Sequence, residues 1–165
     1  NARSETVCSK ANGVPQDEKL GFQWMLKAAE QKHAEAQFHT GLCYQYGVGV
    51  AQSHHQAADW FRNAAAQDHV EANFLYARYL TNGQGGLTDL AQAACCFEKA
   101  AQLGHTKAQL AFAWCCRNGK GVARNVGKAA LWYEKVAVLG NHDAECELGS
   151  LLLTLSRHSK SSRCR

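Results

Sequence analysis

Moved by 36 positions, the sequence falls on itself. Trp24, Trp60 and Trp132 coincide, with Cys96 in the remaining place, and Ala28, Ala64, Ala100 and Val136 coincide beside Ala29, Ala65, Ala101 and Ala137. His33, His69, His105 and Asn141 share one register, and Ala36, Ala72, Ala108 and Ala144 share another. A period of this length marks stacked units, none of which can bury its apolar face alone, so it removes most single-core folds from consideration.

Within a unit, apolar residues recur at helical spacing over 56–67 and again over 70–81, which predicts a helical hairpin. The second helix carries a small residue at Gly41, Ala77, Ala113 and Gly149, a slot where a neighbouring helix can come close. Phe38, Phe74 and Leu110 lie before the slot, and Tyr44, Leu80 and Leu152 after it. The fold expected is all-α: a right-handed superhelical solenoid of stacked antiparallel hairpins. Its units are a half repeat at 1–14, repeats at about 15–50, 51–86, 87–122 and 123–156, and a basic tail at 157–165.

Gly47 and Gly49 form a Gly-x-Gly that elsewhere could cradle a phosphate. Here the pair recurs as Gly83 and Gly85 and as Gly119 and Gly121, always just past the second helix. A phosphate loop would occur once, follow a strand and usually end in Gly-Lys-Ser/Thr. The glycines are therefore read as helix stops that need positive φ.

Residues of "WFRNAAAQDHVEANFLYARYLTNGQG" and "FEKAAQLGHTKAQLAFAWCCRNGKGV" resemble the Sel-1-like repeat, a relative of the tetratricopeptide repeat, with the likeness running over 11–153. The shared features are an aromatic residue, Ala-Ala, Gly-His, Ala-x-Ala-Gln and a closing Gly-x-Gly-Val; Cys96, Asn141 and "NGQGGLTDL" depart from them. The resemblance implies a curved, non-catalytic scaffold, adaptor or inhibitor whose first helices line a concave face. In bacteria such proteins serve signalling, host interaction and, in some cases, immunity against secreted toxins.

At 46% hydrophobic and 19% charged residues, the chain has the make-up of an ordered domain. No apolar run reaches the roughly 20 residues of a membrane span, so no membrane insertion of this chain is expected. Residues 1–20 lack a signal-peptide pattern. The start at Asn1 suggests that something upstream was removed, and residues 1–14 suggest either a longer array or a half-repeat cap. The serine-rich tail with Arg157, Lys160, Arg163 and Arg165 is expected to be a solvated terminus, or else a contact for an acidic partner or membrane surface.

Most of the eight cysteines fall in apolar slots of the repeat, as small buried hydrophobes do. Cys8 and Cys116 share the register of Tyr44, Cys43 and Cys115 that of Tyr79, and Cys146 that of Phe38. Folding the third hairpin about Gly104 brings Cys96 within about one helical turn of Cys115 and Cys116, so a disulfide between them is geometrically allowed. Such a bond would indicate a periplasmic or secreted location; without it a cytoplasmic one is expected. Zinc held by Cys95, Cys96, Cys115 and Cys116 fits less well, because neighbouring helical residues point about 100° apart. Cys8 and Cys164 lie too many layers apart to pair. No cofactor or metal site is expected: the histidines at 33, 69 and 105 recur as turn and packing residues, and His54 and His55 have no third ligand. No nucleophile-base grouping stands out, so no catalytic residues are assigned.

What remains is surface. One register of the first helices reads Lys27, Asn63, Lys99, Lys135; its neighbour reads Leu26, Arg62, Glu98, Glu134; the one four residues before the first reads Gln23, Asp59, Cys95, Leu131. Lys27, Asp59, Arg62, Asn63, Glu98, Lys99, Glu134 and Lys135 are thus the candidate partner-binding residues, with the basic stripe set to hold an acidic segment of a protein. The alternative is a solvated helix face. Nucleic acid is not expected, given a net charge of only +4 and aromatics in core slots. Two functions follow: an adaptor or inhibitor, such as an immunity protein for a secreted toxin, gripping one partner; or a cell-envelope or secretion-system scaffold.

Overall fold

The computed structural model describes residues 17–86 and 88–161, with side chains to Ser156. These residues form α1 (Glu18–Glu30), α2 (Ala34–Tyr46), α3 (His54–Ala65), α4 (Val70–Asn82), α5 (Leu90–Gln102), α6 (Thr106–Asn118), α7 (Val126–Ala137) and α8 (His142–Ser161), with no strand among the described residues. Successive helices pair as hairpins, and each hairpin's second helix packs on the next hairpin's first, α2 on α3, α4 on α5 and α6 on α7. The result is a helical-repeat solenoid, with helix bounds within two residues of those read from the pattern. The expected half repeat at 1–14, with Cys8, lies outside the described residues, as does Cys164.

Each first helix starts at a side-chain cap repeated in register. Asp17, Ser53, Asp89 and Asn125 accept hydrogen bonds from backbone N–H groups of the first turn and satisfy donors that the helix cannot. Each second helix up to α6 ends at a left-handed glycine, at φ 72°, 69° and 68° for Gly47, Gly83 and Gly119. The second glycine of the pair has a separate reason. A Cβ on Gly49 would strike the Glu18 carbonyl and one on Gly121 the Leu90 carbonyl, so the loop lies directly on the start of its own hairpin's first helix.

The slot in the second helix is filled as its register requires. Phe61, fully buried, lies against Gly41 so closely that a Cβ there would sit 2.6 Å from the ring. Ala77, Ala113, Phe97 and Tyr133 continue this core, and Tyr79 meets Phe61 edge-on at 5.4 Å. Amides tie the two helices of a hairpin together: the side chains of buried Gln37 and Asn73 and half-buried Gln109 donate to the carbonyls of Ala29, Ala65 and Ala101.

The last hairpin departs from the register. Leu151 is buried, but Leu152 is 54% exposed, Cys146 is exposed, and nothing lies within 4 Å of where a Gly149 Cβ would be. These positions face the side on which a further helix would pack, and none follows α8 among the described residues. With no glycine to stop it, α8 continues to Ser161, into the stretch expected to be tail.

Candidate interaction surface

The first-helix stripe is exposed at Lys27, Asn63, Lys99 and Lys135, with Arg62 and Glu134 exposed beside it and Asp59 and Glu98 half-buried. It is less free than a run of cations suggests. Arg62 pairs with Asp59 at 3.0 Å, and Lys99 reaches Asp68 at 3.7 Å. Glu98 holds Lys128 at 2.7 Å, and that hydrogen bond is the main cause of the raised Lys128 pKa. The two ends are different: Lys27 lies over the Trp24 ring at 4.5 Å and Lys135 over Trp132 at 4.2 Å. Trp24 is 63% exposed and Leu131 61%, so lysine and apolar surface stand together at both ends.

Cys95, Cys96, Cys115 and Cys116 are free thiols, so the structure does not contain the disulfide that the sequence allowed. Cys96 lies near Tyr76 and Asp89, whereas Cys115 and Cys116 lie near Tyr133 of α7 and Cys116 also near Lys128. The thiols are held among different neighbours: Cys96 interacts with Tyr76 of α4, and Cys115 and Cys116 interact with Tyr133 of α7. Burial pushes the Cys96 and Cys115 thiols up to about 11 and raises Cys116, which keeps them protonated and unreactive at neutral pH. Among the described residues no three His, Cys, Asp or Glu side chains converge as a metal site.

The repeated histidines do more than fill turns. His69 and His105 cap α4 and α6, each accepting through Nδ1 from the backbone N–H of Ala72 or Ala108. Their Nε2 atoms then face carboxylates of the preceding hairpin, Glu35 at 2.9 Å and Glu71 at 3.1 Å. Since Nδ1 accepts, the proton of the neutral ring is on Nε2, which donates to the acid. The hydrogen bond from His69 is the largest cause of the lowered Glu35 pKa. Each ring also lies against a phenylalanine, Phe38 at 4.7 Å and Phe74 at 4.5 Å. Sequence reasoning missed this clamp, although its signal was present: acid, aromatic and histidine recur 34 and 31 residues apart, and all three change together to Lys107, Leu110 and Asn141. His33 makes no side-chain cap at all.

Stacked hairpins tied by caps and clamps, with a long outer surface, define a helical-repeat scaffold of the tetratricopeptide type. The chain belongs to the Sel1 repeat family, whose model matches residues 9–33, 34–69, 70–105 and 106–141. Proteins with this repeat generally mediate protein–protein interaction. A Sel1 repeat protein from Oxalobacter formigenes is 31% identical at a TM-score of 0.78, covering 84% of this chain and 57% of its own. A protective antigen present in uropathogenic Escherichia coli strains, displaying an SLR fold, is 30% identical at a TM-score of 0.74, covering 87% and 31%. Helicobacter pylori cysteine rich protein B shares the fold at 23% identity and a TM-score of 0.58, covering 81% and 97%. This chain thus spans little more than half of the first relative and a third of the second. No curated protein matches the sequence.

Proposed function

We propose that the chain is a non-catalytic binding module, an adaptor or an inhibitor of the immunity-protein kind, that grips one protein partner along its first helices. The observation that supports this most is the pairing of exposed apolar surface with lysines that have no carboxylate partner among the described residues, Trp24 with Lys27 and Leu131 with Lys135. Aromatic anchors beside cations are what protein interfaces concentrate their binding energy in. An acidic partner segment would meet Lys27 and Lys135 at the ends and exchange with Asp59 and Asp68 for Arg62 and Lys99 between them. The test is stoichiometric capture from the source organism by the wild-type chain and by a Lys27→Glu, Lys99→Glu, Lys135→Glu variant. One partner held at one-to-one ratio and lost in the variant is the expected result. Equal capture by both refutes the stripe, and several weak partners would favour the scaffold reading.

A further inference from the structure

The outer side of the array carries a second feature. Between α4 and α6 runs an open groove of about 530 Å³, lined by Phe74, Leu75, Arg78, His105, Thr106 and Lys107 among others. Its floor is apolar and half-buried, from Phe74 and Leu75. Its rim is cationic. The Arg78 guanidinium lies 5.8 Å from the Phe74 ring centroid, and Lys107 stands in the first turn of α6. Neither has an ion-pair partner among the described residues, while the groove's one carboxylate, Glu71, is engaged by His105.

The repeat register shows how unusual this groove is within its own chain. Where α4 has Arg78, α2 has Leu42 and α6 has Trp114. Where α6 has Lys107, the other second helices have Glu35, Glu71 and Asp143. Lys107 therefore stands in place of the acid that clamps the next hairpin, and the clamp's histidine and phenylalanine have become Asn141 and Leu110. At this joint the register places no acid–histidine clamp and sets an ammonium at the mouth of a groove, a local departure of the kind that functional sites show.

We propose that this groove binds an acidic peptide segment in which carboxylates flank one apolar side chain, a site distinct from the first-helix stripe. The apolar side chain lies on Phe74 and Leu75, a carboxylate takes the two-pronged guanidinium of Arg78, and a second takes Lys107. Two cations beside an acid are too few for a nucleic-acid backbone.

The test uses fluorescein-labelled nine-residue peptides: one with Glu on both sides of a central Leu, one with Ser in place of that Leu, and one of Glu alone. Binding is read by anisotropy, and the site by amide shifts of the nitrogen-15-labelled chain. The expected result is saturable binding of the first peptide with shifts centred on Arg78 and Gly104 to Lys107. The other two peptides bind at least about tenfold more weakly. Arg78→Glu with Lys107→Glu loses the binding while keeping the circular dichroism of the wild type, since both side chains are exposed. The triple lysine variant of the stripe binds as the wild type does. Absence of saturable binding, equal binding of the Glu-only peptide, shifts centred elsewhere, or loss in the stripe variant overturns the proposal. Failure here leaves the first-helix reading standing, because the two variants touch different faces.

Discussion

Four residues at one register should respond to alanine in a graded way, because the structure gives them different work. His69→Ala removes a helix cap worth about 1 kcal/mol. It also removes a ring stacked on Phe38 at 4.7 Å, worth about 0.5–1.5 kcal/mol. The contact with Glu35, whose side chain is 71% exposed, adds less than about 1 kcal/mol. The sum is a loss of about 1.5–3.5 kcal/mol, and His105→Ala should match it, since its cap, ring contact and acid are the same. Asn141→Ala loses only the cap to Ala144, about 1 kcal/mol. His33→Ala loses no side-chain cap and should stay within about 0.5 kcal/mol of wild type. Urea unfolding followed by far-ultraviolet circular dichroism, with the slope m checked for constancy, measures all four. Equal losses across the register, or a His33→Ala variant as damaged as His69→Ala, would refute the clamp as the reason for the repeated histidine.

The clamp also has a pH signature. Glu35 has a folded pKa below its ordinary value of 4.5, so its share of stability is present above about pH 5 and is lost as pH falls through the folded value. The stability gap between wild type and Glu35→Gln should therefore narrow in acid; a gap that widens contradicts the assignment. Gly121→Ala puts a Cβ into the Leu90 carbonyl at a φ of 72° and should cost about 2–4 kcal/mol. Gly86→Ala, at φ 87° with open space around it, should cost only about 1–2 kcal/mol, and equal thermal shifts would show that the close approach is not what fixes the loop. Peptide mapping after brief iodoacetamide treatment at neutral pH should find Cys95 and Cys146 modified and Cys115 and Cys116 protected until the chain is unfolded; rapid labelling of Cys115 would contradict its burial.

The stacking of hairpins, their length and the position of each small-residue slot were legible because period and helical spacing are properties of residue order alone. Contacts that join two repeats were harder to see. Glu35 and His69 lie 34 residues apart, and neither residue type announces a clamp; only the shared replacement at Lys107, Leu110 and Asn141 could have pointed to it. The stripe of Lys27, Asn63, Lys99 and Lys135 carries less free charge than its register suggests, since Asp68 comes from a turn that a helix-register comparison leaves out. The thiols mark a similar limit: axial level can be counted from sequence, whereas the side of the helix on which Cys96 and Cys115 leave depends on which neighbour each buries against.

The uneven distribution of the clamps sets an order of opening. The first three described hairpins are latched one to the next by capping, ring-stacked histidines, whereas the fourth is held to the third by two ion pairs without such a clamp, Arg117–Glu147 and Glu98–Lys128, all four side chains partly exposed. In an array whose stability is a sum over neighbouring units, the weakest joint frays first, and amide protons of α7 and α8 should exchange ahead of those in α3 to α6. Leu131 and Lys135 lie on α7, in the hairpin expected to open first. Should the proposed partner reach them, part of its binding free energy would go into quietening α7 and α8, and its grip would measure how far that hairpin was open.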